Sequence, residues 1–128
     1  MSYGDVESTT ISPDGRLNHW TIARSRLLEA RFIATAFTLG DYIYIAGGHN
    51  GIRRLESVEK AFIGSGGNVK TWSPLPPLSS KRSAAASAVM NNHVYIAGGM
   101  DNNDVLNSVE MAVLGPNGRL GHIAITTQ

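Results

Sequence analysis

The segment Tyr44-Ile45-Ala46-Gly47-Gly48 recurs as Tyr95-Ile96-Ala97-Gly98-Gly99, 51 positions further along a chain of 128 residues. A repeat of fixed period constrains the fold more than any local motif. Each copy has to form the same supersecondary unit, and a single unit of that size cannot bury its own apolar face. The matches run on at the same spacing: Leu55, Ser57, Val58, Glu59, Ala61 and Gly64 return as Leu106, Ser108, Val109, Glu110, Ala112 and Gly115, and Arg31 returns as Arg82. A partial copy precedes these, with Val6-Glu7 matching Val58-Glu59 and Trp20 matching Trp72, each 52 positions apart. The sequence therefore predicts a single array, with a half unit over 3–28 and full units over 29–79 and 80–128.

Within a unit, residues 32–39 alternate apolar and small side chains and predict a first strand. Residues 41–48 predict a second, with Tyr42 and Tyr44 on one face and Ile43 and Ile45 on the other. Since both faces are apolar, the sheet has to be covered on both sides. Residues 57–63 and 69–73 predict a third and a fourth strand. The link between them reads Pro13-Asp14-Gly15, Ser65-Gly66-Gly67 and Pro116-Asn117-Gly118 in the three copies. A final glycine of this kind suits the positive φ of a hairpin turn. The alanine-rich stretch 79–90 invites a helix, but its counterpart 29–39 carries Phe32, Ile33, Thr35, Phe37 and Thr38, residues that favour strands. An all-β fold follows.

Four short antiparallel strands repeating about every 50 residues are the pattern of a propeller blade. The paired glycines after an apolar strand, Arg31 and Arg82 opening each unit, and Thr71-Trp72-Ser73-Pro74-Leu75-Pro76-Pro77-Leu78 resemble kelch repeats. The resemblance covers essentially the whole chain and implies kelch-type β-propeller blades, an incomplete ring in this one chain. The sequence departs from the usual pattern in its longer hairpin between third and fourth strands and in lacking a tyrosine six residues before Trp72. Its last unit puts Ile123 at the tryptophan position and Ala124-Ile125-Thr126-Thr127 in place of the proline-rich tail.

A propeller closes with roughly 4–8 blades, so two and a half units leave both ends of the array without a neighbour. The expectation is a piece of a larger propeller or a chain completed by self-association as a homo-oligomer. Strand phase favours the first, because two copies would bring two outer halves, which do not combine into one standard blade.

Composition narrows the function. The chain is 42% hydrophobic and 16% charged, which supports a core. A formal net charge of +1 gives no basis for a nucleic-acid partner. No run approaches the roughly 18 apolar residues of a membrane-spanning helix. The first residues lack the basic start and apolar core of a signal peptide. With no cysteine, disulfides and thiolate metal sites are excluded.

The glycine pairs invite a phosphate-binding reading, but neither is followed by the Gly-Lys-Ser/Thr or Gly-x-Gly-x-x-Gly pattern with its helix. Gly47, Gly48, Gly98 and Gly99 are therefore assigned to structure, together with Trp20, Trp72, Glu7, Glu59, Glu110, Arg31 and Arg82. A glutamate present once per unit suits a structural partner, buried backbone or a neighbouring blade's arginine, better than a catalytic site, which breaks repeat symmetry. Asp101-Asn102-Asn103-Asp104 resembles the start of a calcium loop, but the required glycine and glutamate positions hold Leu106 and Ala112, so a polar turn is expected. His19, His49, His93 and His122 do not converge by spacing. No catalytic residue, metal ligand or cofactor is assigned.

In kelch-like propellers the loops joining second to third and fourth to first strands share one face, which commonly binds partners. Carried onto this sequence, that resemblance nominates His49, Asn50, Arg53, Arg54, Asp101, Asn102, Asn103 and Asp104 from the first set of loops. Arg24 and Arg26, beside Lys81, come from the second. Adjacent basic and acidic groups suit a polar protein or a carbohydrate. The expected function is a non-catalytic binding or scaffolding module. The rival is part of a carbohydrate-active or oxidase-type propeller enzyme whose catalytic residues lie outside this chain; an oxidase of that kind needs a tyrosine–cysteine pair that this chain does not have.

Overall fold

A computed structural model describes residues 4–126, the last five as backbone alone. Tyr3, where the half unit was expected to begin, Thr127 and Gln128, and the side chains of His122 and Ile123 lie outside the described part. The chain forms three antiparallel sheets. The first pairs β1 (Glu7–Ser8) with β2 (Thr21–Ile22). The second runs in order through β3 (Thr35–Leu39), β4 (Tyr42–Ala46), β5 (Val58–Phe62) and β6 (Ser73–Leu75). The third repeats it with β7 (Ala86–Met90), β8 (His93–Ala97), β9 (Val109–Leu114) and β10 (Leu120–Thr126). Short 3-10 turns at Ser65–Gly67 and Pro116–Gly118 join third to fourth strands. The final turn glycines Gly15, Gly67 and Gly118 all have positive φ, at 86°, 81° and 75°. The stretch 79–90 contributes β7 and no helix.

Two strands differ from the sequence expectation. The first begins at Thr35 and not at residue 32, because Ile33 has φ 48° and its counterpart Ala84 has φ 57°, in the left-handed region that interrupts a ladder. Phe32 and Ser83 instead make single bridges to His49 and Met100. The fourth strand of the second sheet lies at 73–75, beyond the expected 69–73, because its register steps by one residue. Lys60 pairs with Ser73, but Ile63 bridges Val69. The same step separates Ser8–Thr21 from Ile11–Leu17, and Met111–Ala124 from Ala112–His122. The extra residue falls in the stretch holding Trp20, Trp72 and Ile123 at equivalent positions. A β-bulge thus marks the outer strand of all three units.

The core lies between the second and third sheets. Phe37, Leu39, Tyr44, Ala46, Val58 and Leu78 face Val94 and Ile96. Alternation sets this face: Thr35, Phe37 and Leu39 of β3 are buried and the residues between them are exposed. Phe37 stacks on Tyr44 with centroids 4.9 Å apart. Each large apolar side chain taken fully from water contributes about 2 kcal/mol. The first strands β3 and β7 run side by side. Thr35 Oγ1 donates to Ser87 Oγ at 2.7 Å. Ala84 N–H donates to Ile33 O at 2.8 Å. First strands therefore lie innermost and fourth strands outermost, as in propeller blades, and the three sheets do not close a ring.

Candidate functional site

Two buried polar clusters, one per full blade, are the most chemically loaded places in the chain. In the first, Arg31 Nη2 meets Glu59 Oε2 at 2.6 Å. Arg31 Nη1 donates to the carbonyls of Gly47 and Ser57, at 2.8 and 3.0 Å. Glu59 also accepts from the N–H groups of Leu28 and Glu29, at 2.7 and 3.1 Å. The second repeats it: Arg82 Nε donates to Glu110 Oε2 at 2.8 Å, Nη1 to the carbonyls of Gly98 and Ser108, and Nη2 to Ser108 Oγ. Burial opposes the charge on Glu110, yet the Ser79 N–H and the Arg82 guanidinium outweigh it and hold its carboxyl below the ordinary range. The arginine comes from the glutamate's own blade and not from a neighbour. Apart from Arg31 Nε, which is buried without a partner among the described residues, these groups are paired with backbone and with each other, which makes each cluster a clasp between strand ends. Glu7 has the glutamate position in the leading half unit. It is exposed, and among the described residues it has no ion pair.

The glycine pairs are part of the same clasp. Gly47 accepts from Arg31 through its carbonyl, and Gly48 N–H donates to the Arg82 carbonyl of the next blade at 2.8 Å. A Cβ at Gly47 would stand 2.2 Å from that carbonyl oxygen, so only glycine allows the approach.

The loops after β4 and β8 meet beside this junction. Asn50 Oδ1 accepts from the N–H groups of Ile52 and Arg53, both at 2.9 Å. The equivalent Asp101 Oδ1 accepts from Asn103 and Asp104, at 2.8 and 2.7 Å. Those two hydrogen bonds hold the Asp101 carboxyl below its ordinary range, and the charges of Arg54 and Lys81 add to the effect. Both side chains are thus committed to shaping their own turns. Arg54 crosses between the loops: Nε donates to Ser83 Oγ at 2.8 Å and its N–H approaches Asn102 Oδ1 at 3.4 Å. His49 Nδ1 accepts from Gly51 N–H.

The structure gathers Arg54, Lys81, Asp101 and Asn102, with Asn50, Arg53, Asn103 and Asp104 in the flanking turns. It does not gather the two remaining arginines with them. Arg26 pairs with Asp5 at 2.9 Å. Arg24 lines a separate cleft of about 790 Å³ between the leading half sheet and residues 66–71. Sequence reasoning missed the apolar part of the loop cluster. Ile52 and Val105 are 85% and 78% exposed, with Phe32, Ile33 and Met100 also open to solvent. A branched apolar residue at the tip of an otherwise polar loop was the available signal.

Four-stranded antiparallel sheets set side by side, with first strands innermost, define a propeller-type repeat protein. The Kelch motif matches residues 34–60 and 81–111, one match in each full blade, which supports a kelch-repeat family. A comparison with curated proteins returns no match.

Proposed function

We propose that the chain is a non-catalytic binding module that holds a polar protein or carbohydrate partner on the loop cluster around Arg53, Arg54, Asp101 and Asn102. Kelch motifs point to a protein-binding propeller-type module. The observation that carries the finer reading is the juxtaposition of Arg54, Lys81 and Asp101 with exposed Ile52 and Val105. An apolar anchor ringed by charges of both signs is the composition of a recognition surface. The buried arginine–glutamate clasps support a role without catalysis, since they recur once per full blade with the same backbone and carboxylate partners.

The module belongs to a larger ring, from further blades or from association of copies. Gly99, equivalent to Gly48, has no acceptor for its N–H among the described residues, and Ala86, Ala88 and Met90 of β7 are exposed where Thr35, Phe37 and Leu39 are buried. Capture of proteins and glycans by the chain and by an Arg53→Ala/Arg54→Ala variant tests the partner face. Loss of the captured species in the variant is the expected result, and unchanged capture refutes the assignment. Sedimentation mass tests the ring: a closed assembly of the chain alone supports association of copies.

A further inference from the structure

We propose that Asn50-Gly51 is a self-modifying site, where the loop after β4 converts the Asn50 side-chain amide into a carboxylate through a cyclic imide, with water as co-reactant. Nothing in this chemistry depends on whether the loop holds a partner.

The groups that such a step needs meet at the loop. The nucleophile is the Gly51 backbone nitrogen, whose N–H donates to His49 Nδ1 at 2.9 Å. The imidazole is thus placed to take that proton as the nitrogen attacks. The electrophile is Asn50 Cγ. Its Oδ1 already accepts from the N–H groups of Ile52 and Arg53, both at 2.9 Å, the distance at which paired donors hold a developing oxyanion. The leaving nitrogen, Nδ2, donates to Glu29 Oε2 at 3.1 Å, so a carboxylate faces the amine as it departs. His49 itself is fixed in place. Its backbone exchanges two hydrogen bonds with Phe32, both at 2.9 Å, and the two rings lie with centroids 5.3 Å apart.

The Gly51 nitrogen gives its proton to His49 and bonds to Asn50 Cγ. The Cγ–Nδ2 bond then breaks, and Nδ2 takes the proton from the imidazolium and leaves as ammonia. Water opens the imide. Addition at Cγ gives an aspartate, and addition at the backbone carbonyl gives an isoaspartate, in which the main chain runs through the side chain. Each product adds a negative charge to the loop that carries Arg53 and Arg54.

The next blade keeps the turn and loses the chemistry. Asp101 Oδ1 accepts from the N–H groups of Asn103 and Asp104 in the same way. Met100, Asp101, Asn102 and Ser80 stand where His49, Asn50, Gly51 and Glu29 do, so every departure from the repeat falls on a reacting group. Another Asn-Gly pair, Asn117-Gly118, is locked. Gly118 is buried, a Cβ there would stand 2.8 Å from the Tyr42 ring, and its carbonyl accepts from the Tyr44 hydroxyl. Gly51 is exposed and a Cβ on it would meet nothing within 4 Å, which leaves its nitrogen room to swing onto Cγ.

The test incubates the full chain at neutral pH and follows ammonia release and peptide masses at both Asn-Gly pairs. Conversion is expected at Asn50 ahead of Asn117, and faster than in a synthetic peptide copying residues 47–53. His49→Gln, which keeps an acceptor but no base, is expected to slow it about a hundredfold, the lower end of what a positioned base supplies. In His49→Ala, added imidazole is expected to restore the rate at Asn50 and to leave Asn117 unchanged, which separates a lost base from a lost fold. Equal rates at Asn50 and Asn117, or a rate at Asn50 no higher than in the peptide, overturns the proposal. A rate indifferent to His49→Gln, or no rescue of His49→Ala, overturns His49 as the base.

Discussion

The N–H of Gly48 donates to the carbonyl of Arg82 at 2.8 Å, across the line where one four-stranded sheet meets the next. The same arginine turns its guanidinium into its own sheet, to the Gly98 carbonyl and the Glu110 carboxylate, both at 2.8 Å. One residue thus closes its blade and presents its backbone to the preceding one. The charged tail fixes the strand end, and the fixed strand end sets the distance at which the blades meet.

That distance makes the two leading glycines of the pairs unequal. Gly47 and Gly98 have φ of 67° and 68°, so alanine at either carries the same left-handed cost of about 1 kcal/mol. A Cβ at Gly47 meets the Arg82 carbonyl oxygen at 2.2 Å, whereas at Gly98 the nearest atom is the Leu106 carbonyl oxygen at 3.6 Å. Gly98→Ala is expected to cost about 1 kcal/mol and Gly47→Ala about 3 kcal/mol or more, the difference being forced separation of the blades. Urea midpoints measure both, and equal losses would contradict the close approach.

The Arg82–Glu110 clasp predicts acid sensitivity. A carboxyl whose folded pKa is depressed stabilises the fold above its unfolded pKa, and the contribution is lost as pH falls through the lower folded value. Stability is therefore expected to decline as the solution is acidified below about 4.5, the ordinary glutamate value. Glu110→Gln, which leaves a buried guanidinium without its counter-charge, is expected to cost about 3 kcal/mol at neutral pH. It also flattens the acid limb of the stability curve. If wild type and variant decline in parallel below pH 5, Glu110 is not the titrating group.

Blade architecture was legible in the sequence because a period written in Gly47, Gly98, Glu59 and Glu110 survives any uncertainty about single strands. The bulge was not legible. One inserted residue interrupts the ladder between Val69 and Ser73 and leaves the regular strand at 73–75 without altering the polar pattern, so only the pairings of Ile63 with Val69 and of Lys60 with Ser73 show it. The interruption at Ile33 was hidden for a similar reason: a β-branched residue in a left-handed conformation contradicts its own propensity and is held there by the hydrogen bond from Ala84. In the candidate partner face, spacing identified the loops but not the departure of Arg26 to Asp5, an ion pair made within the leading half unit.

The tryptophans at the bulges offer a direct optical check. Trp72 is 3% exposed and Trp20 59% exposed, although they occupy the same position in their units. Acrylamide is expected to quench one of the two fluorophores readily and to spare the other. Trp72→Ala is expected to cost about 3–5 kcal/mol, and Trp20→Ala under about 0.5 kcal/mol. Trp72→Phe should be milder, because the buried Nε1 of Trp72 has no hydrogen-bond partner among the described residues to lose. Uniform quenching of both indoles would contradict the burial of Trp72.

Tyr44 and Tyr95 hold equivalent positions in the two blades, and only the first is sealed by a following sheet. Burial of Tyr44, with Tyr42 close by, pushes its hydroxyl up to about 12. The protonated hydroxyl donates to Gly118 across the junction. A raised folded pKa means that the stabilisation is complete below the unfolded value of 10.0 and is lost as pH rises through about 12. Tyr44→Phe is expected to cost about 1 kcal/mol at neutral pH through the lost hydrogen bond. The hydroxyl of Tyr95 makes no hydrogen bond among the described residues, so Tyr95→Phe should leave stability within about 0.5 kcal/mol of wild type. Ultraviolet titration of the tyrosines should show a late ionisation that disappears in Tyr44→Phe. A late step that survives Tyr44→Phe would mean that the third sheet does not seal the second.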